Sequence, residues 1–390
     1  MLYTFRMKVV LTGTHFTPAQ AVIEELQKID LLDSSPTGSG ISLIYIGRNT
    51  TMEGDDTPSV ESSVLPKLGV KFLAISAGRL QRQLSLYTIP SLIKIPIGFI
   101  QSFFYLLKEM PDLVISFGGY VGLPVVISAW ILNIPIIIHE QALVPGLSNS
   151  ISALFADKIA VSFEEESSTS RNHKTIVTGN PIREQALIPR EQPSEFFGQV
   201  LAKKNQAHLP LLLVTGGNQG SHFINNLIKD NLKEILKLAV VLHQTGDSKF
   251  LDFEQLDIEK KNMDKGDRYF ITRWLDPADF AQGLMNADLS ISRAGINTLI
   301  EASRFNTPTL VIPIDNREQK FNGKYFKDRG LVEVLEQKQA TSKHFLAEVT
   351  KLLKESAKLK TTLKKTDFKI IPDGAKKLTQ EILIEFEKNG

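Results

Sequence analysis

Three short glycine-bearing stretches, each directly after an apolar run, are the parts of this chain best suited to chemistry: Thr12-Gly13-Thr14, Gly118-Gly119 and Gly216-Gly217. Glycine has no Cβ, so backbone N–H groups at such turns can approach a bulky anion closely. A fourth turn, Arg293-Ala294-Gly295, opens an arrangement that reads as strand 289–292, helix 297–304, a break at Asn306-Thr307-Pro308 and strand 309–312. That is a parallel β-α-β unit whose turn aims free N–H groups and the positive end of a helix dipole outward, which suits a phosphate. Glu301, a turn beyond Asn297, is placed for a ribose diol, and the plainer reading is an ordinary β-α turn with a surface glutamate. None of the loops ends in Gly-Lys-Ser/Thr or completes Gly-x-Gly-x-x-Gly. Spread over both halves of the chain, they suggest a cleft that grips two phosphorylated partners.

His15 follows the first loop, where an imidazole titrating near neutral pH can act as a general base. A turn histidine held by hydrogen bonds is the alternative. His139-Glu140 ends a buried strand, and there the simpler role is to fix neighbouring loops. Arg183 and Arg293 adjoin glycine turns, where a guanidinium can fork onto phosphate oxygens. No Asp-x-Asp pair occurs, and the histidines show no zinc spacing. Phosphate charge is therefore expected to be balanced by helix N-termini and arginines, with no cofactor and no metal.

Strand signals alternate with helical ones throughout, which predicts an α/β protein with mostly parallel sheets. Strands are expected at 7–11, 41–46, 70–75, 113–116, 134–139, 158–162 and 175–178, and a second series at 211–215, 239–244, 269–272, 289–292 and 309–312. Helices are expected at 18–27, from Tyr120 to about Leu132, after Gly216-Gly217, at 297–304 and at 321–329, with polar loops at 34–40, 49–63 and 315–322. The stretch 188–207, rich in Pro, Glu, Gln and Lys, carries the linker at its start. This divides the chain into residues 1–187, residues 188–375 and a C-terminal helix 376–390. With 390 residues, two domains of ordinary size fit. A hydrophobic content of 42% and charged content of 23% fit a soluble globular protein, and a net charge of +2 gives no field that would recruit nucleic acid. There is no cysteine, which excludes disulfides and thiolate chemistry and fits a reducing cytoplasm. The first residues read as a strand and not as a signal peptide.

Residues 89–107 need separate treatment. Their eleven Ile, Leu and Phe residues each favour membrane insertion by roughly 0.3–0.6 kcal/mol, against a cost of about 3 for Lys94. Hydropathy alone leaves the segment open. Pro90, Pro96 and Gly98 interrupt its first half, while Gln101, Ser102, Tyr105 and Lys108 share one face of the second, so it reads as an amphipathic helix. That helix either faces the core or lies on a membrane surface with Arg79, Arg82 and Lys94 near anionic headgroups. The tail 338–377 has eleven lysines against four acidic residues, about +7 locally, usual for the solvated side of helices; weak attraction to anionic lipid is the alternative.

Taken in order, these motifs resemble the MurG family of peptidoglycan glycosyltransferases, which add N-acetylglucosamine to lipid I to make lipid II. The resemblance is carried by Thr12-Gly13-Thr14-His15 with Pro18-Ala19, Phe117-Gly118-Gly119-Tyr120-Val121, and Ile138-His139-Glu140-Gln141 with Pro145-Gly146-Leu147. It continues through Gly179-Asn180-Pro181-Ile182-Arg183, Thr215-Gly216-Gly217-Asn218-Gln219-Gly220, Ser292-Arg293-Ala294-Gly295 with Thr298 and Glu301, and Gln319 with Asn322. The family's GT-B fold implies two Rossmann-like domains facing across a cleft, UDP-N-acetylglucosamine held mainly by the second, and a C-terminal helix that returns to the first.

The resemblance further implies that Glu301 holds the ribose and that the backbone around Leu275 reads uracil. Arg183, Asn218, Gln219, Arg293, Gly295 and Thr298 would surround the diphosphate, and Glu318 and Gln319 the sugar hydroxyls. Thr12, Gly13, Thr14, Gly118, Gly119 and Tyr120 would take the acceptor diphosphate, with Glu140, Gln141 and Ala142 in the sugar pocket. Ile97, Ile100, Phe103 and Phe104 would be the membrane patch. Four positions depart from the family pattern: Thr14 for glycine, Ala142 for asparagine, Asn218 for serine and Glu318 for glutamine. The expected activity is inverting transfer to the muramyl 4-hydroxyl of lipid I, with His15 as base, on the inner leaflet of the cytoplasmic membrane. Rival readings are a related transferase acting on another lipid such as diacylglycerol, a catalytically weak UDP-sugar-binding cell-wall assembly protein, and a nucleotide-sugar epimerase of the same fold.

Overall fold

The computed structural model describes residues 7–32, 40–50, 58–76, 78, 88–164, 174–217, 220–247, 250–366, 371 and 373–389. The chain forms two compact units, residues 1–183 with 371–390, and residues 184–370. The division falls after Arg183, four residues before the boundary expected from composition. The short helix Glu184–Leu187 already packs on the helix Pro277–Asn286 of the second unit.

The first unit is built on seven parallel strands: β1 (Lys8–Thr12), β2 (Ser42–Gly47), β3 (Lys71–Ala74), β4 (Leu113–Ser116), β5 (Ile136–Glu140), β6 (Lys158–Val161) and β7 (Thr175–Val177), in the order β3-β2-β1-β4-β5-β6-β7. Strand residues alternate between two cores. Val9 and Leu11 join Val22, Ile23, Leu26, Leu378 and Ile382 on one face, while Val10 joins Ile44, Ile46, Val121, Val125 and Val126 on the other. A parallel sheet covered on both faces needs such unbroken apolar strands, which is why they stand out in the sequence. The C-terminal helix Gly374–Asn389 packs on the helix Phe16–Leu32, and Lys158 of β6 binds its Glu381 at 2.8 Å and Glu385 at 3.1 Å.

The second unit repeats the plan with β8 (Leu211–Thr215), β9 (Val240–Gln244), β10 (Tyr269–Thr272), β11 (Leu289–Ser292), β12 (Thr309–Val311) and β13 (Glu333–Val334), ordered β10-β9-β8-β11-β12-β13. Leu212 and Val214 pack on Ile224, Ile228 and Leu232 of the helix His222–Leu238, and Leu211 and Leu213 pack on Phe197, Val200, Phe280 and Leu284. In each sheet the direction of strand addition reverses once, between β1 and β4 and between β8 and β11. Ligands of open α/β sheets bind at the carboxyl edge of such reversals.

Several stretches differ from the sequence expectation. The linker region contains the helix Glu195–Ala207, started by Ser194 and anchored by buried Phe197 and Val200. Asp252–Lys261 and Pro277–Asn286 are helices, the latter capped by the Asp276 carboxylate accepting from Ala278 and Asp279 N–H. The polar stretch 49–63 includes the helix Val60–Val64, with Ser59 as its cap. The loop expected over 315–322 is helix from Arg317, because the Asn316 side chain accepts the Gln319 N–H and starts it early. Thr88–Glu109 is one helix despite Pro96. The polar loop 34–40, apart from its last residue, and Arg79 and Arg82 lie outside the described residues.

Two buried histidines make stability depend on pH. His243 is fully buried, its Nδ1 accepting from the Tyr269 hydroxyl at 2.7 Å and its Nε2–H donating to Asn225 Oδ1 at 3.0 Å. His139 is buried beside the Gly179 carbonyl, with Nε2 at 3.3 Å. Burial lowers His243 to about 3 and His139 to about 4. The unfolded chain, with histidines near 6.5, therefore binds more protons than the folded one at mildly acid pH, and stability falls as pH drops from 6.5 toward those values. Each unit should lose about 2 kcal/mol between pH 7.5 and pH 5 from its histidine. Urea denaturation at the two pH values checks this, and an unchanged midpoint would contradict it.

Candidate functional site

In the first unit, the loops after β1 and β4 meet at the sheet reversal. Thr14 N–H donates to the Gly118 carbonyl at 2.9 Å, and the Tyr45 hydroxyl donates to the Gly13 carbonyl at 2.9 Å. Gly119 has φ +79°, and a Cβ there would lie 1.9 Å from Thr14 Oγ1. The Thr14 side chain thus fills the space that Gly119 leaves, and any phosphate must approach around that hydroxyl. The helix Gly119–Ile131 begins from Gly118 with no side-chain cap, so its first N–H groups lack a side-chain partner. Thr12 is fully buried at the end of β1, so it shapes the loop through its backbone. Tyr120 is half-buried and accepts from Arg48 Nη1 at 3.2 Å.

The β5 loop lies beside these. Glu140 Oε1 accepts Ala142 N–H at 2.8 Å, and Oε2 accepts Asn149 Nδ2 at 2.7 Å. The same Asn149 side chain occupies the place a Cβ on Gly118 would take, as close as 2.5 Å. Asn149 therefore ties the sugar-pocket loop to the glycine loop. Sequence reading missed it, although it stands two residues after the quoted Pro145-Gly146-Leu147. Gln141 is buried, and its Oε1 has no hydrogen-bond partner among the described residues.

His15 is exposed to solvent. Desolvation lowers its imidazole from 6.5 to about 4. Solvent contact limits that depression, but at either value the ring is neutral at pH 7 and can accept a proton. Arg183, at the end of this unit, is half-buried with a buried Nε that has no partner among the described residues.

In the second unit the loops after β8 and β11 flank the reversal. The helix Ile296–Arg304 starts from Gly295, which supplies no side-chain cap, and a helix N-terminus of this kind suits an anion. Thr298 stands in that first turn, half-buried, and Glu301 follows in the next, almost buried. Arg293 is more committed than a phosphate fork would be. Its Nε donates to Ser221 Oγ at 2.9 Å, and Nη1 donates to the Ile312 carbonyl at 2.9 Å and Gln337 Oε1 at 2.7 Å. Burial lowers it to about 10, so it stays charged at pH 7 and braces the cap of the His222–Leu238 helix.

Gln319 Oε1 accepts from Ala294 N–H at 3.2 Å and Ile314 N–H at 3.0 Å, joining the β11 and β12 loops. Glu318 is at the surface in the same helical turn, and partial desolvation raises its carboxyl. Leu275 N–H is taken by Gln244 Oε1 at 3.0 Å, and Gln244 Nε2 reaches the Gly217 carbonyl at 3.3 Å. Gln244, also missed in the sequence, therefore couples the glycine loop to the Leu275 loop; only its place at a strand end signalled it. Asn218 and Gln219 lie outside the described residues. Among the described residues, no three His, Asp or Glu side chains gather as for a metal ion.

The helix Thr88–Glu109 turns part of its polar face inward. Ser102 is buried, Gln101 Oε1 accepts Ser76 N–H at 2.7 Å, and the Tyr105 hydroxyl donates to the Ala74 carbonyl at 3.1 Å. Gln101 and Tyr105 turn inward because the end of β3 offers backbone partners, while Ser102 Oγ donates to the Gly98 carbonyl of its own helix at 2.7 Å. Ile97, Ile100, Phe104 and Leu107 are left 41–60% exposed as one stripe, with Phe103 half-buried beside Phe104. No described helix is long and apolar enough to cross a membrane.

Comparison with known proteins matches residues 56–161 to the glycosyltransferase family 28 N-terminal domain and residues 211–378 to its C-terminal domain. A Treponema denticola relative is 32% identical over 338 residues, covering 83% of this chain and 81% of its own length. One from Clostridium kluyveri is 30% identical over 354 residues, 88% of this chain and 91% of its own. Both are named UDP-N-acetylglucosamine–N-acetylmuramyl-(pentapeptide) pyrophosphoryl-undecaprenol N-acetylglucosamine transferase. Among solved structures, Acinetobacter baumannii MurG aligns with a TM-score of 0.67 at 22% identity, over 97% of this chain and 99% of that one.

Proposed function

The chain belongs to the MurG family of glycosyltransferases, and on that premise we propose that it transfers N-acetylglucosamine from UDP-N-acetylglucosamine to lipid I, forming lipid II. One observation carries this reading: relatives named for that transfer match more than four-fifths of the chain.

The second unit holds the donor. The N-terminus at Gly295, Thr298 and the Gly216-Gly217 loop of this unit serve the diphosphate, with Arg293 bracing the loop through Ser221; Asn218, Gln219 and Arg183 are assigned to it by the family resemblance alone. Glu301 binds the ribose, the Leu275 backbone meets uracil, and Gln319 and Glu318 meet the sugar. In the first unit the Gly13 and Gly118-Gly119 loops take the acceptor diphosphate. The acceptor's 4-hydroxyl oxygen bonds to the anomeric carbon as the bond from that carbon to the UDP oxygen breaks. The hydroxyl proton passes to the neutral His15 imidazole, and inversion at carbon follows from attack opposite the leaving group. Peptide N–H groups and helix dipoles, already oriented, stabilise the charge that grows on UDP without a metal cofactor.

UDP release measured with lipid I, with diacylglycerol and with no acceptor tests the assignment. Release with lipid I alone supports it. Release with diacylglycerol assigns a related lipid transferase, UDP-sugar binding without turnover assigns an assembly protein, and conversion without acceptor assigns an epimerase.

The stripe Ile97, Ile100, Phe104 and Leu107 is the surface by which the protein rests on the inner leaflet of the cytoplasmic membrane, where a lipid-linked acceptor resides. Each such side chain gains about 1.5–3 kcal/mol on leaving water. Phe104→Asp should therefore weaken binding to anionic lipid vesicles about 10-fold or more in sedimentation. Unaltered binding would remove this face from the interaction.

A further inference from the structure

We propose that Asn225 is a positioning residue for the donor-diphosphate loop, acting through the carbonyl of Thr245; the proposal rests on the reading of the second unit as the donor site. Asn225 lies in the first turns of the His222–Leu238 helix and is buried, so it does not touch a ligand. Its Nδ2 donates to the Thr245 carbonyl at 3.1 Å and to Asp252 Oδ2 at 2.9 Å. Its Oδ1 accepts His243 Nε2–H at 3.0 Å, and His243 Nδ1 accepts in turn from the Tyr269 hydroxyl at 2.7 Å. Asp252 also receives His222 Nδ1 at 2.6 Å. One amide thereby fastens together β9, β10, the helix carrying the loop and the helix Asp252–Lys261.

The Thr245 carbonyl is where this network reaches the loop. Gly220 has φ +73°, and a Cβ built on it would lie 1.9 Å from Thr245 O, so the loop backbone rests directly against that oxygen. Thr245 N–H is held by the Thr272 carbonyl at 3.0 Å. The peptide is thus fixed from β10 on one side and from Asn225 on the other. With the amide removed, a buried carbonyl loses its donor and the support beneath Gly220 can shift. The described ends of the turn, Gly217 and Gly220, joined by the Gly220 N–H to Gly217 carbonyl bond at 3.1 Å, would then shift together, while the first unit's loops would be untouched.

The test uses the full-length protein. The UDP dissociation constant is measured by calorimetry, and KM is measured for UDP-N-acetylglucosamine and lipid I separately, on Asn225→Ala and on Tyr269→Phe, which removes only the far end of the chain of hydrogen bonds. Asn225→Ala should raise the UDP dissociation constant and donor KM together by about 10-fold or more, the size expected when a buried acceptor loses its donor. KM for lipid I should stay within about twofold, and Tyr269→Phe should move the same two constants about two- to fivefold. An unchanged UDP dissociation constant in folded Asn225→Ala, or equal rises in both KM values, overturns the proposal. Should Asn225→Ala fail to fold, Tyr269→Phe decides alone, and an unchanged UDP constant overturns it. Failure of the wild-type protein to use lipid I would sink the functional reading, and UDP binding would still test the positioning role.

Discussion

His15→Ala should turn over about 10²–10⁴-fold more slowly than the wild-type protein, with UDP bound as tightly as before, because a general base contributes that range and the residue belongs to the acceptor's unit. The pH profile gives a second readout. Surrounding protein pushes the His15 imidazole below 6.5, toward about 4. The group is basic above its own value, so the acid limb of kcat/KM should lie below pH 6.5 and should vanish in the variant. The cost of a depressed value is a weaker base, which the exposed ring moderates by keeping water. His15→Ala with near-normal turnover would exclude the residue as the proton acceptor.

Glu301→Ala should weaken UDP binding about 100-fold or more, since two hydrogen bonds from a ribose diol to a carboxylate contribute roughly 1.5–3 kcal/mol each. Glu301→Gln should lose less, because one amide oxygen can still accept. The loss should be specific to the sugar: wild type should prefer UDP to 2′-deoxy-UDP, and Glu301→Ala should not distinguish them. Calorimetry with both nucleotides reads the difference directly. A UDP constant within twofold of wild type would assign Glu301, nearly buried in its helix, to holding the fold instead.

Much of this architecture is written locally. β10 and β11 coincide with the strands expected at 269–272 and 289–292, because short stretches holding Tyr269, Phe270 and Ile271, or Leu289 and Ile291, between turn formers read as strands. The glycine loops were legible for the same reason: each ends such a stretch. The helices Asp252–Lys261 and Pro277–Asn286 were not seen, although Asp276-Pro277 is an N-cap followed by proline in the first turn. The first of these buries little beyond Asp252 and Leu256, too sparse a pattern for periodicity to register.

What local reading cannot supply is the partner of a long polar side chain. Arg293 was legible as a cation beside a glycine turn, but its donors go to Ser221, Ile312 and Gln337, none adjacent in sequence. Gln101 and Tyr105 were legible as a polar face, and only the fold shows that face satisfied by the backbone at the end of β3. The consequence is functional, because it turns the apolar side of that helix outward.

In the proposed reaction, oriented peptide N–H groups, not a bound cation, carry the charge of the departing UDP. Transfer of labelled N-acetylglucosamine from its UDP donor to lipid I, with and without EDTA in detergent, tests it most directly. The mechanism predicts label in the lipid at the same rate in both. Transfer that stops with EDTA and returns with a divalent cation, or no label in lipid I under either condition, would contradict it.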